Sequence, residues 1–180
     1  MRKLLLTAVL LFTATCSLLA EDEDSLYAKD LIKAGETAPA FTMKSNKGKD
    51  ISLKQFLDKG KYVIIDFWAT WCPDCRKDVP KIKEIYEKYK GYNLEVVSVS
   101  FDTDATTWNN FTGKNGMEWN QVSELKKWKR GTEIDRLYHI NWIPTMYLIA
   151  PDGKVVLSTV MSDKLGSTLS SLEKEGKIKK

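Results

Sequence analysis

The residues of this 180-residue chain best suited by type and spacing to do chemistry are two cysteines three positions apart, Cys72 and Cys75. A disulfide closing so short a loop takes little entropy from the unfolded chain, and a domain this long folds without a covalent staple, so stability is a poor reason for the pair. Redox chemistry is a better one, because two such thiols can open and close a disulfide in step with a partner's. The competing readings fit less well. An inert disulfide is the plainest of them. Zinc wants four ligands, and His139 is the only histidine. Haem attachment wants a histidine after the second cysteine, where Arg76 stands. A peroxide-attacking cysteine wants a threonine three residues ahead, where Ala69 stands.

The two sulfurs are not equivalent. Pro73 suits the first position of a helix, since it has no N–H to lose there and its φ is already helical, which puts Cys72 at the N-cap. Unpaired N–H groups and the positive end of the helix dipole favour a thiolate at that point, so Cys72 is the attacking sulfur. Cys75, one turn along on the same face, is placed to resolve the mixed disulfide.

The elements that must hold this pair lie on either side of it. Residues 61–68 are apolar and β-branched apart from Asp66, as suits a strand buried on both faces. Val79, Ile82, Ile85, Tyr86 and Tyr89 recur at helical spacing, predicting an amphipathic helix over 73–90 that stops at Gly91 and is bent early by Pro80. A strand over 94–101 completes a βαβ unit, whose crossover makes the two strands parallel. Upstream, strands at 41–44 and 50–53 flank the turn Ser45-Asn46-Lys47-Gly48 as a hairpin. Downstream follow a helix at 105–114, a strand at 118–122, a helix at 132–138, a hairpin of 145–150 with 155–160, and a closing helix at 165–175. The fold class is α/β, a mixed central sheet flanked by helices.

The chain is 43% apolar and 29% charged, which excludes disorder and a polytopic membrane protein. Its formal charge of +4 includes Arg2 and Lys3, and this is no nucleic-acid signature. Those two cations precede an apolar run over 4–20 that ends at Glu21-Asp22-Glu23-Asp24, the pattern of a cleaved secretory signal over 1–20. The run is at the short edge of what spans a roughly 30 Å hydrocarbon core, so an uncleaved anchor is the alternative. Lipidation of Cys16 is another: small residues precede it, but Thr13 sits where an aliphatic residue is usual. Residues 21–34 read as a tail or short peripheral helix and 176–180 as a tail, around one domain over 35–175. Export leads to an oxidising periplasmic or envelope compartment, where a lone mature Cys-x-x-Cys pair is expected to be redox-active.

Asp66-Phe67-Trp68-Ala69-Thr70-Trp71-Cys72-Pro73-Asp74-Cys75 resembles the active-site stretch of thioredoxin, and Ile143-Pro144-Thr145 resembles its second signature. The likeness runs from about residue 35 to 172. The leader, the N-terminal hairpin and a central insertion between Phe101 and His139 are similar to the exported TlpA/ResA-type thiol–disulfide oxidoreductases. The resemblance implies a thioredoxin fold in which Pro144 is cis, stacks beside the cysteines and lets the Ile143 backbone pair with a substrate peptide. By residue type alone, Pro144 also fits a trans proline opening an edge strand.

Two acids bear on proton transfer. Asp66, amid an apolar strand, is costly to ionise and is a candidate proton shuttle for Cys75, as the aligned aspartate is in thioredoxin. Asp78 occupies the place where the ResA-type branch usually has a glutamate. A solvent-linked strand acid and a first-turn helix charge are the plainer readings of the two. Pro73-Asp74 replaces the Gly-Pro of thioredoxin, and Asp74 partly offsets the dipole at the thiolate. Trp71 and Trp68 frame the site, with core packing an equal role for Trp68. The basic stretch Lys126-Lys127-Trp128-Lys129-Arg130-Gly131 reads as a solvated loop.

The sequence therefore predicts an exported, monomeric thiol–disulfide oxidoreductase acting on protein or peptide disulfides. It would be recharged by a membrane electron donor and need no metal or organic cofactor. It would touch membrane only through its N-terminus and bind no nucleic acid. A peptide-binding module with little turnover and a peroxide-reducing variant are the alternatives.

Overall fold

The computed structural model describes residues 22–180, so the expected signal segment and Cys16 lie outside the described residues. Continuous apolar runs form the middle of the sheet. β3 (Tyr62–Trp68) is buried along its whole length, and β4 (Leu94–Ser100) and β6 (Thr145–Ile149) flank it. β3 pairs parallel with β4 across the helix α3 (Pro73–Tyr89), and antiparallel with β6. The sheet extends to β5 (Asn120–Ser123), parallel to β4, and to β7 (Val155–Thr159), antiparallel to β6, giving the order β5-β4-β3-β6-β7. This is the mixed α/β sheet of the thioredoxin fold.

The N-terminal hairpin pairs β1 (Thr42–Lys44) with β2 (Asp50–Ser52). It lies against β5, where Ser45 bridges Val122 and the Asn46 N–H donates to the Gln121 carbonyl at 3.0 Å. An otherwise open sheet edge is thereby covered. A short helix absent from the sequence expectations, α2 (Leu53–Leu57), follows directly, capped by the Ser52 hydroxyl on the Gln55 N–H at 3.3 Å. In the central insertion α4 (Ala105–Lys114) has its expected bounds, but α5 (Ile134–Leu137) is a single turn, shorter than the helix predicted over 132–138. The closing helix α6 (Ser162–Lys174) starts three residues earlier than expected. α3 runs through Pro80, whose missing N–H leaves the Arg76 carbonyl without its helical partner.

The segment after α1 (Glu23–Tyr27) is embedded rather than peripheral: Leu31 and Ile32 are buried, and the Ile32 N–H donates to Tyr147 Oη at 3.2 Å. The short helix expected in this segment is α1, and Leu31 and Ile32 follow it in a turn that carries them into the core. At the other end Ile178 is buried, and Lys179 exchanges hydrogen bonds with Asn93 at 2.7 and 2.8 Å. Among the described residues no helix is long and apolar enough to cross a membrane.

Candidate active site

Strand β3 delivers the chain to Cys72, and Pro73 starts α3 as its first residue. Cys72 is the N-cap, and its Sγ accepts the Cys75 N–H at 3.1 Å. The two cysteines form a disulfide with Cα atoms 5.3 Å apart, and both are buried, Cys72 at 5% exposure and Cys75 at 2%. Cys72 is thus slightly the more exposed residue of the pair. The Ile143–Pro144 peptide is cis, as the resemblance implies, and the Ile143 carbonyl lies 3.6 Å from Cys72 Sγ. The turn is braced by Thr145 Oγ1, which donates to the Trp142 carbonyl at 2.8 Å.

Asp66 sits in the middle of β3 at 5% exposure. Ser98 Oγ, on the neighbouring β4, donates to Asp66 Oδ2 at 2.7 Å and accepts the Trp119 indole N–H at 2.8 Å. Burial pushes the Asp66 carboxyl up to about 7; the Ser98 hydrogen bond opposes this and the charge of Asp78 adds to it. Asp78 is half-buried near the start of α3 and accepts the Ser162 hydroxyl at 3.1 Å. Its pKa is also raised, first by burial and then by Asp163 and Glu23, against the Ser162 hydrogen bond and Lys81.

Asp74, Asp78 and Pro144 line a cleft of about 520 Å³ together with Tyr27, Trp142 and Met161. Pro73 and Asp74 are exposed, and Asp74 pairs with Lys77 at 2.9 Å. Tyr27 stacks on Trp142 with centroids 4.0 Å apart, so the N-terminal helix closes one side of the cleft. Neither aromatic was among the sequence candidates. Trp142 adjoins the Ile143-Pro144 signature and was findable from it, whereas nothing local marks Tyr27.

Trp71 stands on the opposite flank, 54% exposed, while Trp68 is buried against Phe111 and belongs to the core. The four cations of the 126–130 stretch are exposed, as expected of a solvated loop. Trp128 among them is half-buried, 6.1 Å from Trp71 and stacked on Phe101 at 5.7 Å.

The AhpC/TSA family profile matches residues 34–158. The thiol–disulfide oxidoreductase ResA of Bacillus anthracis is 34% identical over 128 residues, 71% of this chain and 70% of that one. ResA of Bacillus subtilis is 30% identical over 156 residues, 86% and 83% of the two chains. The thioredoxin domain of a thiol–disulfide oxidoreductase from Bacteroides vulgatus superposes with a TM-score of 0.70 at 31% identity, covering 78% of this chain and 98% of that one. A buried cysteine pair at a helix start beside a cis-proline turn, in a sequence this similar to those enzymes, leaves one assignment: the chain belongs to the AhpC/TSA family and is a thiol–disulfide oxidoreductase of the ResA type.

Proposed function

We propose that the protein acts outside the cytoplasm, exchanging electrons with disulfides of proteins or peptides through its Cys72–Cys75 pair. The observation that carries this reading is the setting of Cys72 Sγ, which caps α3, accepts the Cys75 N–H and faces the Ile143 backbone. With the pair reduced, the Cys72 thiolate attacks a substrate disulfide, forming a mixed disulfide and releasing one substrate thiolate. Cys75 then attacks Cys72 Sγ, restoring the internal disulfide and freeing the second substrate sulfur. The electron pair travels in the sulfurs themselves, so no metal or organic cofactor takes part.

Asp66 is the proton partner of Cys75. A buried carboxyl that titrates near 7 can take the proton as Cys75 attacks and return it when the disulfide is reopened. Asp78 is secondary, coupled to Asp66 by charge. The Ile143 backbone and the faces of Pro144, Trp71, Pro73 and Asp74 receive the substrate chain. The apolar leader followed by four acids supports export, and a membrane dithiol donor would restore the reduced pair.

Insulin reduction by dithiothreitol tests the reading: catalysis by wild type and its loss in Cys72→Ser support it. Peptide binding that survives replacement of both cysteines, without turnover in wild type, points to a binding module instead. Equilibration against dithiothreitol or glutathione reads the direction of flow, with a potential near about −270 mV marking a reductant and one near about −120 mV an oxidant.

A further inference from the structure

The two flanks of the cysteine pair carry opposite charge. On the cleft side stand Glu23, Asp74, Asp78 and Asp163 against Lys77 and Lys81, which pair with Asp74 and Asp163. On the other side, Trp71, Phe101, Thr103, Lys127 and Trp128 line a second cavity of about 330 Å³. That volume is at the small end of ligand pockets and suits one large side chain better than a whole ligand. Its floor is aromatic, because Trp128 lies between exposed Trp71 and buried Phe101.

Lys127 is on its lining and Arg130 closes the same turn, its N–H donating to the Lys127 carbonyl at 3.2 Å, while three neighbouring acids are engaged elsewhere. Asp102 accepts the Thr70 N–H at 3.0 Å and the Thr70 hydroxyl at 2.6 Å. Asp135 is buried and accepts the Lys129 N–H at 2.8 Å, and Glu124 accepts the Glu133 N–H at 2.9 Å and holds Lys126 at 3.5 Å. Lys129 Nζ lies over the Trp128 ring at 4.4 Å and donates to the Asn141 carbonyl at 2.7 Å. Lys127 and Arg130 are exposed and have no ion pair among the described residues, so their charge is left for something outside the chain.

We infer that this flank is a substrate-docking surface for a disulfide-bearing polypeptide. It takes an aromatic side chain into the Trp71–Trp128 cavity and neighbouring carboxylates against Lys127 and Arg130. The inference rests on the exchange reading above and adds to it a substrate class. A polypeptide is the occupant, rather than an anionic lipid surface, because the patch adjoins Cys72 through Trp71. A chain that reaches the Cys72 sulfur comes within one residue of Trp71, which lines the cavity. Aromatic contact and exposed cations then act together, one giving residence and the other steering encounter.

The test uses wild-type protein, reduced with dithiothreitol and desalted, and peptides with one internal disulfide flanked by Glu and Phe, by Lys and Phe, or by Glu and Ala. Exchange with hydroxyethyl disulfide, a small neutral probe, is measured first. If wild type fails with every disulfide, the exchange reading falls and this inference with it. If it exchanges, the Glu–Phe peptide is expected to react about tenfold faster than the Lys–Phe peptide at low salt, with the ratio shrinking as salt rises. In Lys127→Gln/Arg130→Gln that ratio should fall towards one. Replacing Phe by Ala in the acidic peptide should slow its reaction several-fold. Equal rates for the acidic and basic peptides in wild type overturn the inference, as does a ratio the double substitution does not change. Binding to phosphatidylglycerol vesicles that the substitutions abolish, without any peptide preference, also overturns it and assigns the patch to lipid.

Discussion

The hydroxyl of Ser98 donates its one proton to Asp66 Oδ2 at 2.7 Å while its oxygen takes the indole N–H of Trp119 at 2.8 Å. Trp119 can only donate, so with Asp66 ionised the chain runs from indole to hydroxyl to carboxylate. A hydrogen bond to the ionised form favours it, and Ser98 therefore holds Asp66 below the value that burial alone would impose. Ser98→Ala should raise the Asp66 titration above its value near 7. Trp119→Phe, which removes the donor orienting Ser98 together with part of a buried ring, should move it less in the same direction. In the oxidised protein neither Cys72 nor Cys75 titrates, so the carboxyl carbon resonance of Asp66 reads this directly. A titration that is unmoved or lowered in Ser98→Ala would break the argument.

Asp66 also ties folding stability to pH. Its folded value near 7 exceeds the roughly 3.9 of an unfolded aspartate, so the native protein keeps a proton that the unfolded chain has already lost. The contribution is complete below about pH 4, declines as pH rises towards 7, and is gone above it. Asp66→Asn should flatten this dependence. It should be more stable than wild type at pH 8, by up to about 4 kcal/mol, with the difference vanishing towards pH 4. Urea melts of the oxidised proteins at the two pH values check the sign.

What was legible in the sequence was whatever is local. The cysteine spacing, the helix start at Pro73 and the apolar runs of β3, β4 and β6 each announce themselves within a few residues. Asp66 was found because one acid in a buried strand is conspicuous. Its partners are not, since Ser98 reaches Asp66 only when β4 pairs with β3, and Trp119 reaches Ser98 only when β5 pairs with β4. A single turn such as α2 carries too few residues to display a period. Trp128, lone among cations, has none at all, and its packing on Trp71 and Phe101 could be read only from the fold. Tyr27 reaches Trp142 through a segment whose composition says only that it is acidic and then mixed.

That segment is held by Leu31, which is 1% exposed. Leu31→Ala removes most of a side chain that belongs to the hydrophobic core. It should cost about 2–5 kcal/mol, as such truncations do in a core, rather than the few tenths expected of a surface tail. Chemical denaturation of the two proteins distinguishes the cases, a cost below 1 kcal/mol marking the segment as dispensable.

Asp24 pins the same segment at its other end. Its carboxylate accepts Thr159 Oγ1 at 2.8 Å and the Val160 N–H at 2.7 Å, and Lys164 Nζ lies at 2.8 Å. Hydrogen bonds to a charged acceptor contribute more than neutral ones, so Asp24→Ala should lower stability by about 2 kcal/mol. Because this contact positions Tyr27 against Trp142, the same variant should increase solvent access to Trp142. Acrylamide quenching, with Trp142→Phe subtracted, measures that change. Unchanged quenching together with unchanged stability would mean that Asp24 does not hold the helix in place.

Asp78 acts on Asp66 with the opposite sign to Ser98. Its charge raises the Asp66 value, so ionising Asp66 is opposed by the carboxylate near the start of α3 as well as by burial. Asp78→Asn keeps the size of the side chain and one acceptor for the Ser162 hydroxyl, and removes the charge while turning the second oxygen into an NH2 donor. The Asp66 titration should therefore fall in Asp78→Asn, rise in Ser98→Ala, and return towards the wild-type value when the two are combined. A merely structural loosening of the site would let water reach Asp66 and lower its value in both single variants. Opposite displacements thus separate specific coupling from damage, and a fall in both would leave Asp66 governed by burial alone.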